Sequence, residues 1–144
     1  MNNNLFNTVP EISARLLVVL SLNEMTLQHA ECLDFMTIYA HDFDNRLNSL
    51  HPNNYNRSAD LPALSPIYNK SINYLCLKGL VSILSTRNGI IYKVCDIADK
   101  YINLFDGEYI NTYKFNLRIL YDKYNVSSDL ELYKTIVDTM NQKR

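Results

Sequence analysis

The chain has 144 residues, of which 47% are hydrophobic and 20% charged, and its 14 basic and 15 acidic side chains give a formal net charge of -1. These values are ordinary for one globular domain and exclude a disordered chain. The near-neutral charge argues against a protein that holds nucleic acid mainly through its own basic surface. Three glycines are too few for a phosphate-binding loop, so we expect no ATP site and no cofactor.

The amino-terminal sequence is expected to be neither a signal peptide nor a membrane span. Its apolar run, residues 16–20, is too short for either and follows Glu11 and Arg15. The three cysteines lie in apolar patterns at unrelated spacings, which predicts buried free thiols. Together these features predict a cytoplasmic protein.

Two helices and a long loop are predicted in the first part of the chain. The first helix is expected over residues 10–20, with Pro10 at its first position. The second is expected to run from a cap at Thr26 to about Tyr39. Residues 41–65 are rich in Asn and Pro, which predicts a long loop. That loop is interpreted either as a floppy insertion or as a packed, partner-contacting segment.

A third helix and a hairpin follow the loop. The helix is predicted from a cap at Ser65 to a left-handed end at Gly79. Two β-rich runs, residues 80–84 and 90–94, flank an Asn-Gly pair, which is a strong hairpin signal. The order helix, helix, helix, hairpin predicts a mainly α fold, a winged helix-turn-helix whose β-hairpin wing closes a core of about residues 10–94.

Three additional helices are predicted after the hairpin, with Ser127 or Ser128 as the cap of the last one. They span residues 96–105, 108–124 and 129–141. With the winged-helix core they form a single domain over residues 1–144.

The sequence contains no group of side chains that indicates catalysis or a metal site. His29 and Cys32 lie three residues apart on one helix face, but a closed metal site needs two more ligands with paired spacing. Nucleophilic catalysis needs an activated Ser, Cys or Lys with an oriented base, and three scattered histidines supply none. Asp42 and Asp44 are interpreted as solvated carboxylates of the loop. We therefore expect no enzymatic activity.

Autonomous DNA binding is the natural alternative for a winged helix, whose third helix would enter the major groove. That helix and the wing offer few basic groups, whereas phosphate contacts from Lys and Arg supply most non-specific affinity. We expect at most weak DNA binding by the isolated chain. The candidate DNA-contacting residues are Lys70, Asn73, Lys78, Arg87 and Lys93.

Tyrosine is the unusual residue of the composition, with 11 copies and no tryptophan. For any single tyrosine, packing in the core is the competing interpretation. The crowding of tyrosines in the carboxyl-terminal half nevertheless predicts some exposed aromatic surface, which favours a protein partner over a nucleic acid.

Four segments of the chain carry a family resemblance in order: LFNTVPEISARLLVVL, TLQHAECLDFMTIYAHD, SLHPNNYNRSADL and LKGLVSI. The matching positions include Glu11 and Arg15 in the first segment, Asp34 in the second, and His51 and Arg57 in the third. On these residues the chain resembles the middle component of ABC-type three-component defence systems, the small accessory subunit of Lamassu-type systems.

The resemblance implies a non-catalytic subunit that binds a coiled-coil ABC ATPase of the SMC type and an effector, often a nuclease, that acts on phage or plasmid invasion. DNA would be contacted only through the complex. The partner-binding residues are expected in the loop and the carboxyl-terminal helices: His51, Tyr55, Arg57, Asp60, Tyr109 and Tyr113. The rival class is a winged-helix transcription regulator that dimerises through its terminal helices.

Overall fold

The structure, a computed structural model, describes residues 7–52, 57–124 and 127–142, and for residues 57–60 it describes the backbone alone. Within these residues the chain forms six α-helices and one hairpin, which confirms the mainly helical class. The elements are α1 (Val9–Leu22), α2 (Leu27–Ile38), α3 (Arg57–Leu77), β1 (Val81–Thr86), β2 (Gly89–Val94), α4 (Ala98–Leu104), α5 (Glu108–Tyr124) and α6 (Asp129–Gln142). A short 3-10 helix, Ala40–Asp42, follows α2.

Helices α1 and α2 lie at the centre of the core because they are apolar on nearly all sides. Residues 15–20 of α1 and residues 32–40 of α2 and its continuation are all buried. A helix that is apolar all round must be surrounded by other elements. Helices α3, α5 and α6 pack around α2, while α3, α4 and the hairpin pack against α1.

The third helix begins at Arg57 and not at Ser65, so the predicted loop is wrong over its second half. Pro62 and Pro66 lie inside the helix, although each lacks the backbone N–H that a helix interior uses. Leu61 is buried together with later residues of the same helix face. The packing of this apolar face against the core outweighs the local cost of the two prolines.

The first half of the predicted loop packs against the core. The backbone N–H groups of Leu50 and His51 both donate to the carbonyl oxygen of Ile38, at 2.9 and 3.1 Å. Leu47 is also buried. Residues 41–52 are therefore a packed segment, and residues 53–56 lie outside the described residues.

The predicted hairpin is confirmed, with Thr86 of β1 opposite Gly89 of β2 in an antiparallel pair. Gly79, at φ 73°, takes the left-handed conformation that turns the chain from α3 towards β1. Met25 and Tyr92 exchange two backbone hydrogen bonds, with N···O distances of 3.2 and 2.8 Å. These bonds attach β2 to the segment between α1 and α2, so the base of the hairpin is fixed to the core.

Ser128 caps α6 through a reciprocal pair of hydrogen bonds. Its Oγ accepts from the backbone N–H of Glu131 at 3.2 Å, and its own N–H donates to Oε1 of Glu131 at 3.3 Å. We predict that Ser128→Ala lowers the free energy of unfolding by about 1 kcal/mol, measured by urea denaturation. Ser128→Thr keeps the capping oxygen and should lose much less. Equal losses in the two variants would argue against the cap.

Candidate functional site

A buried carboxylate at the centre of the helical core accepts four hydrogen bonds. Asp34, on α2, has no exposed surface. Its Oδ1 accepts from Nε of Arg15 at 2.9 Å and from the hydroxyl of Tyr113 at 2.5 Å. Its Oδ2 accepts from Nη2 of Arg15 at 3.0 Å and from the hydroxyl of Tyr68 at 2.5 Å. These donors lie on α1, α5 and α3, so the group, here named the Asp34 cluster, joins four helices.

Arg15 carries the positive charge that balances Asp34. The guanidinium is 1% exposed, and besides Asp34 it donates to Oδ1 of Asn7 at 3.1 Å and to the hydroxyl of Tyr109 at 3.2 Å. Burial alone would lower the pKa of Arg15, but the charge of Asp34 raises it, and the net result is a pKa well above the usual value. Because a buried charge is tolerated only when it is paired and hydrogen-bonded, Arg15 and Asp34 depend on each other.

The two tyrosines of the Asp34 cluster act as permanent donors. Burial, followed by the charge of Asp34, raises the pKa of both Tyr68 and Tyr113 well above the ordinary value. Both hydroxyls therefore stay protonated and donate to the carboxylate. The cluster holds one cation, one anion and two neutral donors.

His51 and Tyr109 extend the cluster towards the packed segment 41–52. The hydroxyl of Tyr109 lies 2.8 Å from Nε2 of His51. A guanidinium can only donate, so the oxygen of Tyr109 accepts from Arg15, and its hydrogen can be donated to Nε2 of His51. Burial, followed by the charge of Arg15, lowers the pKa of His51 to about 4, so the ring is neutral near pH 7 and can accept this hydrogen. A hydrogen-bonded chain thus runs from Asp34 through Arg15 and Tyr109 to His51.

We predict that His51 titrates with a midpoint near pH 4 in the folded protein, against 6.5 for an unperturbed imidazole. Because the unfolded chain binds the proton more tightly, the stability contributed by the neutral ring is complete above pH 6.5 and is lost as the pH falls towards 4. An NMR titration of the ring resonances, assigned with a His51→Gln variant, measures this midpoint. A midpoint at or above 6.5 would rule out the buried neutral state.

The structure brings together three of the six predicted partner-binding residues. His51, Tyr109 and Tyr113 all belong to the hydrogen-bonded network around Asp34. Tyr113 is fully buried and His51 is 6% exposed, so both side chains lie inside the protein and not on its surface. In this conformation Tyr113 fits the competing interpretation of a tyrosine packed in the core.

The other predicted contact residues are placed differently. Tyr55 lies outside the described residues, and Arg57 and Asp60 are described by their backbone alone, at the start of α3. The candidate DNA-contacting residues are all exposed, on α3, in the turn that follows it and on the hairpin. They are Lys70, Asn73, Lys78, Arg87 and Lys93.

No group of three or more metal-ligating side chains occurs in the part of the chain that the structure describes. His29 instead lies 2.8 Å from Oδ1 of Asp129, and burial raises the pKa of Cys32 to about 12. Asp44, predicted as a solvated carboxylate, is buried and accepts from Nε of Arg46 at 2.9 Å. None of the described helices is long and apolar enough to cross a membrane.

The centre of this site was not predicted from the sequence. Arg15 and Asp34 are matching positions of the family resemblance, but no role was assigned to them. The available signal was a charged residue beside an apolar run, with Arg15 directly before residues 16–20 and Asp34 between Leu33 and Phe35. Such a charge must find a partner inside the core, although the sequence does not say which one.

Comparison with known proteins gives a family assignment. No curated protein and no solved structure matches the chain. A family model does match, and its description is ABC-three component (ABC-3C) system Middle Component 2. The match covers residues 5–143, which include every helix and strand and the whole Asp34 cluster. The chain therefore belongs to the Middle Component 2 family of ABC-three component systems.

Proposed function

We propose that this protein is a non-catalytic accessory subunit of a bacterial anti-phage or anti-plasmid defence complex of the Lamassu type. In that complex it binds an SMC-like coiled-coil ABC ATPase and helps to control an effector nuclease. The family match over residues 5–143 carries the proposal, because a middle component of a multi-component ABC system has protein partners.

The Asp34 cluster supports a role as a rigid adaptor. It joins α1, α2, α3 and α5 through one buried carboxylate. A rigid domain that touches both an ATPase and an effector can make different contacts in the two states of the ATPase. Such a difference in contacts is what holding or releasing an effector requires.

Exposed apolar side chains supply candidate contact surfaces. Ile83 and Ile90 lie on the same face at the outer end of the hairpin and are 52% and 50% exposed. Other large apolar side chains are exposed on the helices. They are Leu77, Leu104, Phe115 and Leu130. Grouped apolar side chains on a surface are typical of protein interfaces, so the end of the hairpin that carries Ile83 and Ile90 is our first candidate for a partner contact.

We further propose that the hairpin is the wing of a winged helix-turn-helix, which the order of α1, α2, α3, β1 and β2 supports. The alternative function, a winged-helix transcription regulator, is favoured by the exposure of Lys70, Lys78 and the other candidate DNA-contacting residues. An anisotropy titration with DNA separates the two. Nanomolar, sequence-selective binding at physiological salt would favour the regulator, and weak binding favours the accessory subunit.

Co-purification tests the proposed function. The tagged chain is co-expressed with the coiled-coil ATPase and the effector encoded by neighbouring genes, and we expect a complex to be recovered through the tag. A double variant, Ile83→Ser with Ile90→Ser, tests whether the hairpin contacts a partner. Ser82→Ala, on the opposite face of β1, is its control. A chain that purifies alone in the presence of both partners would contradict the proposal.

A further inference from the structure

The hairpin has an open edge along β1. Within the described residues the sheet has two strands, so β1 is paired with β2 on one side and with no strand on the other. The outer edge of β2 is occupied, because Tyr92 exchanges two backbone hydrogen bonds with Met25. Residues 82–86 of β1 are all exposed. The outer edge of β1 is therefore accessible to another chain.

The register of the hairpin determines which backbone groups face this open edge. In an antiparallel pair, residues that exchange hydrogen bonds alternate with residues whose N–H and C=O groups point away from the neighbouring strand. Tyr92 directs its groups at Met25, so its partner on β1, Ile83, directs its own groups away from β2. Ser85 lies two residues further along β1 and does the same. The open edge thus offers donors and acceptors at the spacing of a β-strand.

The sequence of β1 does not protect this edge. Natural sheets protect their edge strands with charged side chains, proline or bulges. Strand β1 is VSILST, without a charge or a proline, and its six residues pair with β2 without interruption. Ile83 and Leu84, on opposite faces of β1, are 52% and 41% exposed. An added strand would gain backbone hydrogen bonds and would cover apolar side chains on both faces.

The charged side chains of residues 78–94 are all basic. They are Lys78 before β1, Arg87 in the turn and Lys93 on β2, and no acidic residue occurs between Asp60 and Asp96. All three are exposed, and none of them forms an ion pair with a described residue. An acidic segment complements these charges, whereas the hairpin of a second copy would bring the same charges and would be repelled.

DNA is the competing ligand for a basic hairpin. The phosphate backbone of DNA accepts hydrogen bonds but donates none, so it cannot use the outward carbonyl groups of Ile83 and Ser85. It also offers no apolar surface to cover Ile83 and Leu84. An extended peptide supplies donors, acceptors and apolar side chains together. The open edge therefore favours a protein.

We propose that β1 receives an extended acidic segment of a protein partner as a third strand of the sheet. The backbone groups of Ile83 and Ser85 pair with that segment, and the side chains of Ile83 and Leu84 contact its apolar residues. The basic groups of residues 78–94 attract its carboxylates. The inference rests on the proposed function, since the partner is a protein of the same defence complex.

The probe is the peptide acetyl-Glu-Thr-Val-Thr-Val-Thr-Glu-amide, titrated at low salt into the full chain labelled with ¹⁵N. We expect saturable shifts and slower hydrogen exchange at the backbone amides of Ile83 and Ser85. A control peptide with Lys in place of both Glu residues keeps the strand pattern and should bind about tenfold more weakly or worse. Equal affinity of the two peptides, or no response of these two amides, would overturn the inference. This comparison needs no variant and does not depend on the folding of one.

Two variants at one position test the edge itself. Ser85→Pro removes an N–H group that points away from β2, and proline is tolerated on an edge strand at such a position. Ser85→Ala removes the same hydroxyl and keeps the N–H. We expect Ser85→Pro to weaken binding of the acidic peptide by about tenfold or more, and Ser85→Ala to leave it unchanged. Thermal melts and the amide spectrum of β2 verify that both chains are folded, and equal binding by the two folded variants would contradict strand addition.

Two other results would assign the edge to a different ligand. A dimer of the isolated chain, seen by sedimentation velocity and dissociated by Ser85→Pro, would assign the edge to a second copy. Saturable shifts of the Ile83 and Ser85 amides on addition of a DNA duplex at physiological salt would assign it to nucleic acid. Either result would overturn the inference.

Co-purification distinguishes failure of this inference from failure of the proposed function. Recovery of the complex with the wild-type and Ser85→Ala chains, and its loss with Ser85→Pro, supports both. Equal recovery with a folded Ser85→Pro chain rejects strand addition and leaves the proposed function standing. A wild-type chain that forms no complex removes the proposed function, and with it the partner, even where the edge binds the peptide.

Discussion

Asp34→Ala should lower the free energy of unfolding by about 3–5 kcal/mol, the largest loss that we expect from a single substitution in this protein. The variant leaves the charge of Arg15 buried without its partner, and it removes the acceptor of the Tyr68 and Tyr113 hydroxyls. Domains of this kind are typically stable by only about 5–15 kcal/mol, so much of the total would be lost. Urea denaturation at neutral pH, followed by circular dichroism, measures the change.

Two controls show that this loss comes from the Asp34 cluster. Asp122→Ala removes an exposed carboxylate on α5 and should change the stability by no more than about 0.5 kcal/mol. A chain carrying both Arg15→Met and Asp34→Leu has neither buried charge. Its loss of unfolding free energy should therefore be smaller than the sum of the losses that Arg15→Met and Asp34→Leu cause separately. A loss below about 1 kcal/mol in Asp34→Ala would show that the cluster contributes little.

Tyr113→Phe should cost about 1.5–3 kcal/mol, because it removes a hydrogen bond to a charged carboxylate and keeps the buried ring. The same variant removes the hydrogen bond that links α5 to Asp34 of α2. Tyr101→Phe is the control, since Tyr101 is 46% exposed and its hydroxyl can form its hydrogen bonds with water. Both variants are measured by urea denaturation. Equal stability of the two would mean that the bond to Asp34 is not worth more than a bond to solvent.

Local signals in the sequence were sufficient for most elements of the fold. Thr26 and Ser128 cap their helices as predicted, and Gly79 takes the left-handed conformation after α3. Each of these signals acts within a few residues, so the sequence carries it directly. The start of α3 is different, because Pro62 and Pro66 favour a break there and only the packing of the folded chain overrules them.

The candidate site was less predictable because its contacts are long-range. Nothing local connects Arg15 with Tyr109, which is 94 residues away. The number of tyrosines predicted that some aromatic surface is exposed, but it did not predict which tyrosines are exposed and which are buried. Tyr113 is buried in the cluster, whereas Tyr101 and Tyr133 on other helices are 46% and 36% exposed.

The residues of the Asp34 cluster lie far apart along the chain, and this separation affects the folding kinetics. Its donors lie 19, 34 and 79 residues from Asp34, so the cluster is complete only after large loops have closed. Contacts that form after the folding transition state slow unfolding and hardly change the folding rate. We expect the cluster variants to unfold faster and to refold at nearly the wild-type rate in stopped-flow experiments. The cluster would then mainly extend the lifetime of the folded protein, so that its contribution is to kinetic stability more than to the speed of folding.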